Sequence, residues 1–534
     1  MRKLRLLLYA GTMVGAIAGA AFAVEGPPSD GSTPTGPIQS PTGVGMVTTT
    51  SGFQEVGASY TGGEGQQYTA GTSAYNASPF STPAPGTAIL RVDLQTVMFG
   101  EGAWWTGMNG SGVGGFPATS TSTNGNIAGA SGAVGNKQAP YAIVGYVRID
   151  MGIDGMSKSG VRYGAFTEIR ENTLNPNSTT VTTNATGSSV SIGNGGANTA
   201  STTSSGTSGF NTQQTLYVRQ AWAYIGTDTA GIIRIGQGFS ANALMQTGLN
   251  DEFDAGGWVG WQAGGLAPSA TGPTWPWADS GNEYQAARIG YLSPVFAGFD
   301  FVTTFAPNNL PATSGGDTCS AVYTGCISQS TSNAASDLAR YRNEFEVGLR
   351  YRNAFGPIGL AVSGVYTISA ATQPGPTAPA LHYNGLSMGM VGAEISINKY
   401  LAIGANTLFG DYNGSWGLQN KAPYLLQTND TTAIAWVAGA RFTIPQLPST
   451  VGGSFFDYKY QGQPGLPTQR TSAGLDLGAT YGLGPGAVLV AEYLWGYNYQ
   501  GSYNFLTGAS TGASAALNNK VQEQMFVGGI ALRF

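Results

Sequence analysis

Charged and apolar residues alternate strictly over thirteen residues near the middle of the chain, in the segment 340–352. All six charged residues of this segment occupy even-numbered positions. The odd-numbered positions are aromatic or aliphatic apart from Asn343, and they hold Tyr341, Phe345, Val347, Leu349 and Tyr351. Because successive side chains of a β-strand point to opposite faces, this pattern predicts a strand with one face for water and one apolar face.

The same separation recurs at 141–151, at 161–170 and at the C-terminal end of the chain. From Phe526 onward, the positions of one parity carry no charge, whereas the other parity includes Arg533. A soluble sheet would need a second sheet or helices to cover such apolar faces, and the sequence has no amphipathic helix of useful length. Lipid can cover them instead, so the pattern favours a transmembrane β-barrel.

The composition is typical of a chain that meets lipid on one side and water on the other. Charged residues make up 10% of the chain, against about 25% in typical soluble domains. No run of about eighteen apolar residues follows the N-terminal segment, so a helical membrane span is not expected. The formal net charge of −5 is mild for this length, which argues against nucleic acid as a partner.

The region before the barrel divides into two parts. Residues 1–23 combine a basic start, an apolar run and a small-residue site at 21–23, which predicts a secretory signal peptide cleaved after Ala23. Residues 24–86 are rich in Gly, Ser, Thr and Pro, so we expect a weakly ordered arm. The predicted barrel then occupies residues 87–534.

We predict sixteen strands in the barrel. The connections after odd-numbered strands are mostly long, up to the loop 239–283, and those after even-numbered strands are short. An even strand count with long extracellular loops and short periplasmic turns is the topology of an antiparallel outer-membrane barrel. The predicted strands lie at about 87–99, 141–151, 160–170, 214–226, 231–238, 284–292, 298–306, 339–353, 357–369, 386–397, 400–411, 431–443, 451–460, 471–481, 487–499 and 521–534.

Aromatic residues collect near the predicted strand ends. Rings with a polar tip favour the membrane–water interface, so we expect aromatic girdles there. A single ring could instead pack within a loop. The expected girdle residues are Phe99, Trp104, Trp105, Tyr291, Tyr400, Tyr458, Tyr460, Trp495, Tyr497, Tyr499 and Phe534.

Several segments resemble the general bacterial porins of the alphaproteobacterial type, which are trimeric sixteen-stranded diffusion channels. The segments 216–226 and 231–238 look like the paired strands before the third loop of that family, and 287–299 looks like the strand and turn after it. The final Phe534 resembles the C-terminal signature that the barrel assembly machinery recognises. The resemblance covers 87–534 and fails in the arm, because many of these porins begin their first strand almost at the mature N-terminus.

The resemblance implies a passive channel for small hydrophilic solutes and ions in the bacterial outer membrane. The implied partners are further copies of the chain in a homotrimer, the lipid bilayer, lipopolysaccharide and the barrel assembly machinery. It implies no cofactor and no metal ion. The competing expectation is a structural or adhesive outer-membrane protein with a blocked lumen, whose long loops and arm carry the function.

In these porins the third loop folds into the barrel and narrows it, which implies the same for 239–283. The segment 250–257 is similar to the acidic segment of the family at this constriction, and Glu252 stands at the family's glutamate position. The family's second acidic position is not matched, and Asp251 or Asp254 could substitute for it.

The basic side of the implied constriction comes from the barrel wall. Arg148, Arg219 and Arg288 match the arginine positions of the family, and Arg91 is near a further basic position. The alternation pattern independently places all four inward. Opposed charges across a narrow wet gap set up a transverse field that favours polar permeants. For each arginine the alternative is a solvated wall residue, or an ion-pair partner that only stiffens the barrel.

Catalysis finds little support in the sequence. The single histidine, His382, lies in a predicted extracellular loop, where a lone histidine is usually a surface residue. We therefore expect no catalytic site and no metal site.

Cys319 and Cys326 have six residues between them in a glycine-containing loop, and in an exported chain this spacing predicts a local disulfide. A metal or redox pair would need more ligands or a CxxC spacing. The bond closes a very short loop, so it should stabilise the barrel by no more than about 2 kcal/mol. Thiol titration of denatured, unreduced protein should find no free thiol, and two titratable thiols would refute the pairing.

Overall fold

A computed structural model gives the fold, and no helix within its described residues is long and apolar enough to cross a bilayer. The predicted signal peptide, the arm up to residue 84, Cys319, Cys326 and Phe534 lie outside these residues. The described residues are 85–106, 141–172, 178–184, 187–193, 201–202, 216–227, 229–245, 247–248, 286–294, 296–308, 330–331, 340–374, 382–398, 400–413, 425–463, 466–484, 487–505 and 519–533.

Strands dominate the described residues, and one short helix, α1, spans Ala241–Met245. The strands are β1 (Thr87–Thr106), β2 (Tyr141–Met156), β3 (Arg162–Asn172), β4 (Ser178–Asn184), β5 (Gly187–Gly193), β6 (Ser201–Thr202), β7 (Leu216–Thr227), β8 (Gly231–Gln237), β9 (Ala287–Leu292), β10 (Phe299–Asn308), β11 (Ser330–Thr331), β12 (Arg340–Phe355), β13 (Ile358–Pro374), β14 (Ser387–Ile397), β15 (Leu401–Asp411), β16 (Ala433–Thr443), β17 (Ser449–Tyr460), β18 (Arg470–Gly484), β19 (Ala487–Tyr499) and β20 (Lys520–Arg533).

Sixteen of these strands pair into a closed antiparallel ring. Each strand pairs with the next one of the ring along the chain, and β1 pairs with β20 from Gln95 opposite Arg533 to Thr106 opposite Gln522. The two residues of β11 add to β13 in parallel, and β4, β5 and β6 form a separate sheet. The ring members are the sixteen predicted strands, so the predicted all-β barrel is confirmed.

The connections of the ring differ in length between its two ends. At one end the strands are joined by short turns, such as 356–357 between β12 and β13 and 444–448 between β16 and β17. At the other end the connections are long, and the one between β3 and β7 contains the β4–β6 sheet. This small sheet was not predicted, because its Ser- and Thr-rich strands lack the apolar alternation that marks the other strands.

The two faces of β12 divide as the alternation predicts. Phe345, Val347 and Leu349 are exposed on the outside of the ring. Glu346 and Arg350 point inward, and each is only 1% exposed. The inward charges are therefore covered by protein, whereas the sequence predicted side chains open to water.

Tyr341 does not lie on the apolar outer face predicted for it. The pairing of β12 with β13 shifts between Arg342 and Phe345, and Asn343 has a φ of 51°. Such a bulge places two residues opposite one and breaks the alternation of faces. Tyr341 is consequently buried, and its side chain hydrogen-bonds that of Glu344.

Tyr458 and Tyr460 are not girdle residues. Both point inward and are buried, because the outward positions of β17 are taken by Asp457 and Lys459. The two rings stack with centroids 4.0 Å apart, and Tyr458 also stacks on Tyr412 at 5.8 Å. The sequence prediction failed here because it used only the position of these tyrosines near the end of β17 and not which face of the strand they occupy.

A charge placed on the outer face of β12 should destabilise the barrel according to its depth. Val347→Arg lies at mid-strand and should lower the free energy of unfolding by about 2–4 kcal/mol, whereas Phe355→Arg, at the short-turn end, should lower it by at most about 1 kcal/mol. Denaturant titration of the protein refolded into lipid vesicles measures both. Equal effects of the two variants would contradict a lipid-facing surface.

Candidate pore constriction

The described beginning of the connection between β8 and β9 lies along the inner face of the ring. We name residues 239–245 and 247–248 the inner strap. Arg234 on β8 donates a hydrogen bond to the Phe239 carbonyl at 2.6 Å. Asn406 on β15 donates one to the Thr247 carbonyl at 2.9 Å. The strap thus follows the inner wall from β8 to β15, and α1 lies against the strands between them.

Glu346 on β12 holds the beginning of α1. Its carboxylate accepts a hydrogen bond from the backbone N–H of Asn242 at 3.0 Å. The hydroxyls of Thr304 and Thr367, on the neighbouring strands, donate to the same carboxylate at 3.3 and 3.1 Å. A carboxylate at a helix N-terminus satisfies an otherwise unpaired N–H and complements the local positive potential.

Arg350 holds the other end of α1. Its guanidinium donates to the Leu244 carbonyl at 3.1 Å. The same group forms a two-pronged ion pair with Asp300 on β10, with its shorter contact at 2.8 Å. The ion pair with Asp300 fixes the guanidinium on the wall, in the orientation in which it also bonds the strap. A two-pronged ion pair of this kind requires a planar guanidinium.

Glycines allow the strap to lie close to the wall. Gly348 lies on β12 between the two clamping residues, and a Cβ there would meet the side chain of Met245 at 2.8 Å. On β14, a Cβ at Gly392 would clash with the Thr247 carbonyl oxygen. Gly248 has a φ of +82° and lies against the carbonyls of β14 and β15. At these glycine positions there is no room for a side chain between the wall and the strap.

The predicted constriction residues divide between described and undescribed parts of the chain. Asp251, Glu252 and Asp254 lie outside the described residues, so their approach to the arginines stays a prediction. Arg288 is buried on β9, and its guanidinium lies 3.7 Å from the carboxylate of Glu344 on β12. Arg288 therefore has the ion-pair partner that the sequence analysis gave as the alternative to a role in the constriction. It lies on the part of the wall that the strap covers.

Arg91 and Arg148 lie on β1 and β2, in the part of the ring that the strap does not cover. Arg219 lies on β7, which pairs with β8 at the start of the strap. Only the backbone of these three arginines is described. Arg148 is the register partner of Gln95, four residues from Arg91 along β1. Four residues span roughly 13 Å of strand. These two arginines are therefore at different heights in the barrel, a separation that the sequence did not indicate.

Sequence reasoning missed the residues that hold the strap. Glu346 and Arg350 belong to the alternating segment of β12, but the pattern shows only that they face inward. Arg350 lies 50 residues from its partner Asp300, and Glu346 lies 104 residues from its partner Asn242, so no local pattern links them. The available signal was the density of charge on one face of β12.

Within the described residues, no group of three or more His, Cys, Asp or Glu side chains could hold a metal ion. His382 is exposed, and its backbone carbonyl accepts a hydrogen bond from the N–H of Thr428 at 2.8 Å.

A methyl group at Gly392 should loosen the strap. Overpacking of this kind costs about 1–3 kcal/mol, so Gly392→Ala should make amide hydrogens of the strap exchange about tenfold faster. Gly364→Ala on β13 is the matched control, because its Cβ would lie 3.8 Å from the nearest atom. Hydrogen–deuterium exchange with mass spectrometry gives the rates. Unchanged strap exchange in Gly392→Ala would show that the strap is not held by this contact.

Comparison with known proteins identifies the family. A model of the Gram-negative porin family matches residues 130–502. Among solved structures, the chain is similar to an anion-selective porin from Comamonas acidovorans, with 13% identity and a TM-score of 0.45 over 84% of this chain and 100% of that chain. For a variant of the Rh. blastica porin, the identity is 12% and the TM-score is 0.41, over 84% of this chain and 100% of that chain. For the outer membrane channel DcaP of Acinetobacter baumannii, the identity is 9% and the TM-score is 0.43, over 85% of this chain and 100% of that chain. No curated protein sequence matches the chain.

The solved structures are too distant to carry an argument about selectivity, whereas the family match covers well over half of the chain. Family and fold point to a channel rather than an enzyme. With a closed sixteen-stranded ring whose outer face is apolar and whose inner face is polar, the chain belongs to the Gram-negative porin family and forms a channel in the bacterial outer membrane.

Proposed function

We propose that the protein is a passive diffusion channel for small hydrophilic solutes and ions, with its narrowest part beside the inner strap. The observation that carries this proposal is the clamp of Glu346 and Arg350 on the two ends of α1. A segment held against the inner wall at both ends narrows the lumen by a constant amount. Diffusion can then be size-limited without a moving gate.

The selectivity of this constriction would come from charges that the wall does not already neutralise. Arg350 is paired with Asp300, and Arg288 with Glu344. Their fields at the lumen are therefore largely cancelled at short range. The proposed field arises instead between the acidic residues Asp251, Glu252 and Asp254 and the arginines Arg91, Arg148 and Arg219. A field without a tight site lets solutes leave as readily as they enter.

Assembly and partners complete the proposal. Membership of the porin family supports a homotrimer, a lipopolysaccharide environment and insertion by the barrel assembly machinery through the terminal Phe534. Cross-linking in native membranes, followed by denaturing gels, should reveal a threefold species.

A blocked, adhesive barrel is the second candidate, and one observation favours it. The inward rings of Tyr412, Tyr458 and Tyr460 are buried rather than open to the lumen. Conductance in a planar bilayer separates the two functions. A diffusion channel gives discrete steps whose size grows with salt concentration, and liposomes that contain it swell in small sugars. Pure trimer that gives neither result would favour the adhesive function.

Neutralising each charge set should change ion selectivity in opposite directions. Removing Asp251, Glu252 and Asp254 together should shift the reversal potential towards anions, and Arg148→Gln with Arg219→Gln should shift it towards cations. Arg288→Gln should have the smallest effect, because Glu344 already offsets that charge. All shifts should weaken towards 1 M salt, where screening acts over about 3 Å. The constriction assignment is wrong if neither set changes the reversal potential at low salt.

A further inference from the structure

A buried arginine on the inner wall lacks a counter-charge among the described residues. Arg441 lies on β16, next to the short turn 444–448, and is only 6% exposed. Within the described part of the chain its guanidinium forms no ion pair and no hydrogen bond, in contrast to Arg288 and Arg350. A buried charge without a partner is strongly unfavourable. Arg441 therefore marks a place where something other than the described residues completes its contacts.

Two glycines leave the wall beside Arg441 without side chains. Arg441 is the register partner of Gly452 on β17, and Gly452 is the partner of Gly478 on β18. Gly478 is in turn the partner of Glu492 on β19. We name these four residues the charge row. It runs from a cation to a carboxylate over three strand spacings, which separate the two Cα atoms by about 14–15 Å. Only glycine backbone lies between the two charges, so the row leaves room for a small solute.

The far end of the charge row is acidic. Asp476 lies on β18 two residues from Gly478, and its side chain is on the same inner face as that of Glu492. Both acids are buried. A solute with only negative charge is attracted by Arg441 but repelled by these carboxylates, and a solute with only positive charge meets the reverse. The row therefore favours a solute that carries both charges.

A row of threonines runs beside the charge row, towards the short-turn end of the ring. Thr443, Thr450 and Thr480 are register partners on β16, β17 and β18. Their hydroxyl oxygens are buried, and none has a hydrogen-bond partner within the described part of the chain. Buried polar groups are normally hydrogen-bonded, and a hydroxyl can donate to a carboxylate. The threonines thus offer donors to an anionic group that lies next to Arg441.

We propose that the charge row binds a small zwitterion, namely a free amino acid. The solute's carboxylate bonds the guanidinium of Arg441 and the threonine hydroxyls, and its ammonium group lies against the carboxylates of Asp476 and Glu492. A guanidinium edge suits a carboxylate, because two parallel N–H groups can donate to its two oxygens. The proposal rests on the proposed channel function, since the solute reaches the row through the lumen, and it adds a solute class to that function.

Titration of L-alanine into the full-length protein in detergent, followed by ligand-observed NMR, tests the proposal. Wild type should bind L-alanine at least about tenfold more tightly than Arg441→Gln or Asp476→Asn/Glu492→Gln, because each variant removes charge-assisted hydrogen bonds. Propionate and ethylammonium each lack one of the two charges of L-alanine, and both should bind the wild type at least about tenfold more weakly. Glu394→Gln is the matched control, because it removes a buried inward carboxylate of β14 outside the row, and it should bind like the wild type.

A denaturant titration without solute separates this role from a structural one. Arg441→Gln should unfold at an unchanged or higher denaturant concentration, because it removes a buried charge that the protein does not pair. A clearly less stable variant would overturn the proposal, since contacts within the protein would then hold the arginine. Equal binding of L-alanine by wild type and Arg441→Gln, or equal binding of propionate and L-alanine by the wild type, would overturn it as well. Planar-bilayer conductance is measured separately: conduction without L-alanine binding refutes only the amino-acid site, whereas L-alanine binding without conduction refutes the channel function.

Discussion

Backbone hydrogen bonding is the constraint on which the whole structure depends. In the hydrocarbon region no water is present to satisfy an N–H or C=O group, so a sheet can cross a membrane only when it has no edge. The pairing of β1 with β20 removes the last edge, from Gln95 opposite Arg533 to Thr106 opposite Gln522. The closed ring in turn creates a separate inner face, where charged side chains can be buried away from lipid.

The inner face uses its charge to hold backbone rather than only to attract permeants. Glu346 and Arg350 are four residues apart on β12, and they bind the opposite ends of α1 with the charge that each helix end prefers. Gly348, midway between them, leaves room for Met245. A charged side chain that holds the strap is hydrogen-bonded to the strap backbone, and this contact partly offsets its charge. The charges available to steer solutes are consequently fewer than the count of inward arginines and acids.

The outer face of the ring is apolar, in contrast to the charged inner face, and two exposed lysines are exceptions to this. Lipid contact selects against exposed charge, so Lys459 and Lys520 are understandable only near the interface. The inward turn of Tyr458 and Tyr460 belongs to the same arrangement, because the alternation of β17 gives each face every second residue. The tyrosines then stack inside the ring, while the lysine between them faces outward.

The sequence by itself determined the sixteen strands of the ring and most of their faces, because a period of two residues is a local property of the chain. It also indicated the asymmetry of the loops, since connection lengths can be counted. Only the tertiary structure decided which inward charges meet. Arg350 finds Asp300 and Leu244, and Arg288 finds Glu344, across 50, 106 and 56 residues of chain. It also decided where alternation fails, as at Tyr341, because a bulge depends on the register of a neighbouring strand. Ring closure sets that register, and no single segment contains it.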